Sequence, residues 1–166
     1  MYARIFGQMK KTLGQLDKML DAAAAFAEVK KFDGTVLVNS RLAPDQFALA
    51  RQVQIACDTA KLAASRLTGK DAPAHADTET TIPELKARIE SVIAYLDSFS
   101  PADFEGAATR TVSQARWEGK VMSGEDYFIE HALPNFFFHV NHAYAILRHN
   151  GVGLGKRDYL GPLTFR

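Results

Sequence analysis

The sequence has almost no cysteine and almost no net charge. Cys57 is the only cysteine, which excludes an internal disulfide and a cysteine-clustered zinc site and predicts a small buried apolar side chain. Twenty basic residues against nineteen acidic ones give a net charge of +1, so no strong field of either sign favours nucleic acid or anionic lipid. A nucleic-acid partner is therefore not expected.

A long hydrophobic run is also missing. No window approaches the roughly 18 uncharged apolar residues that a membrane span needs. The first residues mix charged and apolar side chains and lack the continuous apolar core of a secretory signal. We therefore expect a soluble, cytoplasmic protein without a membrane partner.

What the sequence does contain is apolar residues at spacings of three and four, which predict four long helices within one domain. Thr81 and Ser123 are suited to cap the third and fourth of these helices, and Pro44 suits the first turn of the second. The predicted helices cover residues 3–28, 45–67, 81–99 and 123–150, with a short extra turn at 102–105.

The connections between the predicted helices are long and polar. Residues 35–44 are expected to be extended or irregular, and residues 70–80 to form an exposed crossover loop with a solvated His75. Residues 109–124 alternate weakly about a turn, which is compatible with a short two-stranded hairpin. The pattern favours an all-α four-helix bundle, although its long connections leave the order of the helices open.

The stretch from Glu130 to Val152 holds four of the five histidines. At about 100° per residue, one arc of the fourth helix collects polar side chains and the opposite arc is apolar. Pro134 is expected to kink or restart this helix, so the relation of its first histidine to the others is the least defined. The polar arc consists of His131, Asn135, His139, His142 and His149.

Two interpretations of this polar arc are open. Helix bundles build metal sites from inward-pointing polar side chains, and neutral imidazole is a common transition-metal ligand. Such a site needs a third and usually a fourth ligand from another helix. Without one, the imidazoles would hydrogen-bond to neighbouring helices or to water, and this structural interpretation is favoured.

The second predicted helix carries a polar stripe of Arg51, Gln54, Asp58 and Lys61 opposite its apolar face. Alternating charges on one face predict a solvated surface. If the stripe instead faces the histidines, Gln54 and Asp58 would complete a polar pocket. Asp58 could then ligate a metal, orient a histidine or act as a base.

Two blocks, "RLAPDQFALARQVQIACDTAKLAASRLTG" and "PNFFFHVNHAYAILRHNGVGLGKRDYLG", resemble a bacterial family of uncharacterised function in the DinB/YfiT-like superfamily. The resemblance covers nearly the whole chain. It implies a single domain over residues 1–166, an up-down-down-up four-helix bundle and a homodimer. The superfamily includes metal-dependent enzymes such as thiol transferases, whose divalent ion is held by one histidine of the second helix and two of the fourth, spaced four residues apart.

On this resemblance, His139 matches one metal ligand of the superfamily. Asn135 stands four residues earlier, where a second histidine is expected, and the second helix offers only Gln54, Cys57 or Asp58. An amide oxygen is a poor transition-metal ligand beside an imidazole.

Three functions are consistent with these residues. The first is a small-ligand-binding or degenerate enzyme pocket between the second and fourth helices. The second is a divergent metal-dependent enzyme that holds nickel, zinc or manganese. The third is a dimeric structural or interaction protein without an active site. The candidate pocket residues are Gln54, Asp58, Asn135, His139 and His142, and the candidate metal ligands are His139, His131 and His142, with Asp58 as a further donor.

Overall fold

The computed structural model describes residues 1–165, and helices account for most of them. The helices are α1 (Tyr2–Lys30), α2 (Thr35–Val38), α3 (Leu49–Thr68), α4 (Ile82–Asp97), α5 (Gly124–Asp126), α6 (Leu133–His149) and α7 (Lys156–Leu160). Single 3₁₀ turns occupy Pro101–Phe104, Ala107–Thr109 and Ala115–Trp117, and a π-helical turn occupies Tyr127–Ala132. Because α5, the π turn and α6 are continuous, we call residues 124–149 the fourth bundle helix.

Hydrogen bonds and ion pairs establish the directions of the four long helices. The start of α1 contacts the end of α4, so these two helices are antiparallel. By the same reasoning α3 is parallel to α4 and antiparallel to the fourth bundle helix. The bundle is therefore up-down-down-up, which confirms the predicted fold class. The pairs Lys10–Asp97 and Asp17–Lys86 join α1 to α4. The pairs Asp58–Arg88 and Lys70–Tyr95 join α3 and the residues just after it to α4. The pairs Gln52–His139 and Arg66–Tyr127 join α3 to the fourth bundle helix.

The core lies between the apolar faces that the sequence predicts. Small residues on α3 let the fourth bundle helix approach closely, and that helix contributes larger side chains to the same layer. Cys57 is also completely buried, as expected, and burial raises the pKa of its thiol to about 12. Side chains with 0% exposure include Val53, Ala56, Ala60, Ala63 and Leu67 of α3 and Phe136, Val140, Ala143 and Leu147 of the fourth bundle helix.

The predicted caps and the predicted hairpin are present. Thr81 accepts a hydrogen bond from the backbone of Glu84, whose carboxylate bonds back to the Thr81 backbone in a capping box. Ser123 likewise accepts from the backbone N–H of Asp126. Strands β1 (Thr111–Val112) and β2 (Met122–Ser123) form a short antiparallel pair just before the fourth bundle helix.

Two local predictions before α3 are wrong. Residues 35–38 form a helical turn instead of an extended segment, because the Asp33 carboxylate accepts a 2.8 Å hydrogen bond from the Thr35 N–H and starts the turn. The second long helix begins at Leu49 and not at residue 45. Pro44 lies in a separate turn, and the Leu49 N–H bonds back to the Ser40 carbonyl at 2.9 Å, which holds residues 40–48 as a loop.

The π turn has a cause in the sequence. Pro134 has no N–H, so the Glu130 carbonyl has no α-helical partner four residues later. The backbone widens to a π turn over Tyr127–Ala132 and resumes as α6 at Leu133. Such turns occur frequently at functional sites, and this one contains His131.

None of the helices in residues 1–165 has both the length and the apolar character needed to cross a membrane.

Candidate functional site

A cleft between α3 and the fourth bundle helix contains a buried histidine, His139, which is 6% exposed. Its Nδ1 lies 2.7 Å from Oε1 of Gln52. The Gln52 amide is oriented by its nitrogen, which donates to the Phe47 carbonyl at 3.1 Å. Because an amide oxygen only accepts, Nδ1 of His139 must carry the ring hydrogen. The lone pair of Nε2 is left without a protein donor in the described chain.

His139 is neutral at neutral pH. Its pKa is lowered to about 4, mainly because burial penalises the charged imidazolium, and further by the nearby charges of His142 and Arg51. The hydrogen bond to Gln52 holds the ring in one orientation. His139 is thus a fixed hydrogen-bond acceptor in a partly apolar environment.

Two cavities adjoin His139, with the Phe138 side chain common to both. The first has a volume of about 230 Å³ and the second about 370 Å³. Phe47 and Phe138 are 56% and 55% exposed, so aromatic surface is available at the mouth of the first cavity. The first cavity is lined by Asp45, Gln46, Phe47, Gln52, Phe138, His139 and His142, and the second by Glu130, His131, Pro134, Asn135, Phe138 and His139.

Asn135 faces α3 one helical turn before His139. Its Nδ2 donates to Oγ1 of Thr59 at 2.7 Å, and the Thr59 hydroxyl donates to the Ile55 carbonyl at the same distance. His142 lines the first cavity with His139, but its Nδ1 donates to the Phe138 carbonyl at 2.8 Å. The structure therefore brings Asn135, His139 and His142 together along the cleft, as the polar arc predicts.

His131 lies at the π turn, where it stacks on Tyr127 with ring centroids 5.6 Å apart. Its Nε2 accepts a hydrogen bond from the Arg116 guanidinium. Burial, and then the charges of Arg116 and Arg66, lower its pKa. His131 lines the second cavity together with His139, but its Nε2 already accepts from a cation and offers no free lone pair there.

Gln54 and Asp58 do not join His139. Gln54 lines neither cavity beside this histidine and instead donates to Glu79 at 3.0 Å. Asp58 lies 2.7 Å from Nη2 of Arg88 and 2.9 Å from Nζ of Lys61. On a helix, residues 52 and 54 project about 200° apart, so only one of the two glutamines can face the histidine, and it is Gln52.

Most of the polar stripe of α3 packs against α4 and the crossover segment, residues 70–80, instead of lying in water. Gln54 and Lys61 are each 4% exposed. Arg88 of α4 is the centre of this network, and it contacts the carboxylates of Asp58, Asp77 and Glu79. The prediction of a solvated stripe is wrong for Gln54 and Lys61, because the carboxylates of the network neutralise cations that would otherwise require water. The side chain of Arg51 is 42% exposed.

His75 is part of the same network. Its ring contacts Nζ of Lys61 at 2.7 Å and Oγ of Ser91 at 3.2 Å. Since an ammonium only donates, the imidazole accepts from Lys61 and is neutral. Burial and then the Lys61 charge lower its pKa. The predicted solvated His75 is therefore wrong.

The sequence contains a signal for two buried polar residues that the periodicity did not predict, Gln52 and Arg88. Gln52 lies three residues after Leu49 and four before Ala56, at a position of the buried face of α3. Arg88 similarly lies between Leu85 and Val92 on the buried face of α4. A polar residue inside an apolar stripe must find a buried partner, and that requirement marks both positions.

The donor set does not fit the metal that the superfamily resemblance implies. No group of three His, Cys, Asp or Glu side chains within residues 1–165 lies close enough to hold a metal ion. Opposite Asn135 and His139, α3 presents the Thr59 hydroxyl and the Gln52 amide. Neutral oxygen donors of this kind are weak ligands for nickel or zinc, so α3 adds no strong metal ligand beside His139.

Comparisons with known proteins agree with the fold. A family described as a domain of unknown function, DUF1993, matches residues 1–160. A crystal structure of a DinB family member protein from Shewanella denitrificans is 56% identical, with a TM-score of 0.94 over 97% of this chain and 92% of that chain. No curated protein matches the sequence. The chain therefore belongs to the DUF1993 family, a group of DinB-like helical domains.

Proposed function

We propose that this protein binds a small organic ligand in the cleft between α3 and the fourth bundle helix, with His139 as the recognising group. The observation that carries the proposal is the 2.7 Å hydrogen bond from His139 Nδ1 to Gln52, which leaves Nε2 as an oriented acceptor. Fixed polar groups in a mainly apolar cavity are typical of small-molecule sites.

The properties of the cleft favour recognition over proton-transfer catalysis. A general base works best when its pKa is near the working pH, whereas the pKa of His139 is lowered to about 4. A neutral acceptor beside the exposed rings of Phe47 and Phe138 instead suits a ligand with a hydroxyl or N–H donor on a flat apolar body.

The proposal can be tested with phenol as a probe, because it combines an aromatic ring with one hydroxyl donor. Protein-observed NMR should show amide shifts that cluster at residues 45–52 and 138–142. We expect His139→Ala to weaken binding by about tenfold, the value of one lost buried hydrogen bond of about 1.4 kcal/mol. His149→Ala is the matched control, since His149 is an exposed histidine on the same helix and lines neither cavity.

The same samples test the metal-dependent alternative. That alternative draws support from Gln52, because metal-binding histidines commonly donate their second ring N–H to a neighbouring oxygen. Titration with zinc, nickel and manganese would favour it if one of them raised the melting temperature of the wild-type protein and not of His139→Ala. Phenol shifts that are unchanged in His139→Ala would contradict the ligand-binding proposal.

A further inference from the structure

A third cavity at the other end of the cleft has an unusual charge balance. We call this cavity the arginine groove. It has a volume of about 290 Å³ and lies where α3, the fourth bundle helix and the turn Ala115–Trp117 meet. Its lining contains three guanidinium groups, those of Arg51, Arg66 and Arg116, and one carboxylate, that of Asp58. Asp58 is already bonded to two other cations.

Two of the three arginines have no carboxylate partner. Arg51 pairs with Asp77. In the part of the chain that the structure describes, neither Arg66 nor Arg116 forms an ion pair. Their contacts are neutral, since Arg66 donates to the Tyr127 hydroxyl at 2.9 Å and its guanidinium lies 5.6 Å from the centre of the Tyr127 ring. Both positive charges are therefore uncompensated.

Hydrogen-bond donors exceed acceptors around these arginines. An arginine only donates, so Nε2 of His131 must accept from Arg116 and the ring hydrogen must be on Nδ1. That Nδ1 is buried and has no hydrogen-bond partner among the described residues. The same is true of the amide nitrogen of Gln114, which also lines the groove. Buried donors without acceptors are rare in native proteins and require an explanation.

We propose that Arg66 and Arg116 bind the oxyanion of a small organic ligand, a carboxylate or a phosphate. An oxyanion supplies the negative charge and the acceptor oxygens that this end of the cleft lacks. The planar fork of a guanidinium matches two oxygens of such a group and forms hydrogen bonds stronger than those between neutral partners. The apolar body of the ligand lies against Phe47, Ile55 and Leu62, which line the same groove.

This inference rests on the proposed function, because it names the chemical class of the ligand that the cleft takes. The arginine groove shares Phe47 with the first cavity beside His139 and shares Asn135 with the second. The three cavities are therefore neighbours along one face of the bundle. One end of this face presents a neutral acceptor and the other end presents two cations.

The experiment is calorimetric titration of the full chain with phenyl phosphate, benzoate and phenol, which carry the same ring with a phosphate, a carboxylate or no charge. We expect at least one of the two oxyanions to bind about tenfold more tightly than phenol, since a hydrogen bond to a charged group contributes more than a neutral one. The stronger of the two identifies the oxyanion as phosphate or carboxylate. Its affinity should also fall as sodium chloride is added.

Arg66→Gln and Arg116→Gln should each weaken oxyanion binding by about tenfold and leave phenol binding unchanged. Arg116 is exposed, so its replacement keeps the test informative even if Arg66→Gln fails to fold through loss of the Tyr127 contact. Arg148→Gln is the matched control, because Arg148 is an exposed arginine on the fourth bundle helix that lines none of the three cavities.

The outcomes separate the two proposals. Oxyanion binding that is unchanged in both arginine variants overturns the assignment of the groove. Phenol that binds as tightly as both oxyanions, and does so through His139, overturns it as well and leaves the ligand-binding function in place. If none of the three probes binds, the ligand-binding function fails together with the inference drawn from it.

Discussion

A single hydrogen bond determines what His139 can do. An imidazole near neutral pH can donate, accept or carry a charge, and the sequence alone leaves all three open. The Gln52 oxygen fixes the hydrogen on Nδ1, and burial keeps the ring uncharged. The family resemblance predicts a metal ligand at His139, whereas its hydrogen bond to Gln52 leaves it a hydrogen-bond acceptor.

The lowered pKa of His139 predicts that the protein loses stability in mild acid. The folded protein holds this ring neutral down to about pH 4, while the unfolded chain takes up a proton near the ordinary histidine pKa of 6.5. Protonation therefore favours the unfolded chain as the pH falls from 6.5 to about 4, and the loss ends below the folded pKa. The difference amounts to at most about 3 kcal/mol of unfolding free energy.

Urea unfolding at a series of pH values measures this loss. His139→Gln should flatten the dependence of the unfolding free energy on pH between the folded and unfolded pKa values of His139. His75 and His131 keep part of this dependence, because their pKa values are also lowered. His149→Gln should leave the curve unchanged, since His149 is exposed. If His139→Gln does not alter the curve, the pKa of this ring is not lowered in the folded protein.

At the scale of elements, the Arg88 network attaches the crossover segment to the bundle. The segment has no helix or strand of its own between residues 70 and 80. The side chain of Arg88 is 1% exposed and reaches Asp77 and Glu79 of the segment as well as Asp58 of α3. These pairs raise the pKa of Arg88 further above its usual range and lower those of Asp77 and Glu79.

Replacing Arg88 with methionine should destabilise the protein by about 3 kcal/mol, because it leaves Glu79 without a cation and removes one of the two cations that contact Asp58 and Asp77. Hydrogen exchange of residues 71–80 should become faster, since the segment loses its anchor. Lys86→Met is the matched control. Lys86 lies on the same helix and pairs with Asp17 and Asp21, but its side chain is 23% exposed, so its loss should cost at most about 1 kcal/mol. Equal effects of the two substitutions would contradict the buried network.

Periodicity predicts elements well where burial alone decides them. The apolar faces of α1, α3 and α4, the caps at Thr81 and Ser123 and the hairpin before the fourth bundle helix all follow from local pattern. The partners of buried polar residues do not follow in this way. Gln52 and Arg88 bond to residues 87 and 30 positions away, His139 and Asp58, and a local pattern carries no information about such pairs.

At the scale of the whole molecule, the family resemblance predicts the up-down-down-up topology of the four long helices. The contacts between the helices confirm this topology. One cluster of buried side chains draws on all four long helices as well as on Phe104, Val112 and Val152. A core shared in this way predicts that the chain unfolds as one unit. The spacing of apolar residues predicts a bundle, but which helix faces which depends on tertiary packing.

This prediction of one folding unit can be checked with two signals during urea unfolding. Far-ultraviolet circular dichroism reports on the helices, and the fluorescence of Trp117, the only tryptophan, reports on the turn beside the arginine groove. Coincident transitions are expected. If the fluorescence changes at a lower urea concentration than the dichroism, the region around Trp117 unfolds separately from the bundle.

The central claim is that His139 presents a neutral, oriented acceptor to a ligand in the cleft, and its ring nitrogens test this claim directly. Nitrogen-15 NMR of labelled histidine at neutral pH should show His139 with its hydrogen on Nδ1, an unprotonated Nε2 and no titration until the pH approaches 4. Addition of phenol or phenyl phosphate should shift the Nε2 signal. A ring protonated on Nε2, a titration near pH 6.5, or an Nε2 signal that neither probe moves would contradict the account.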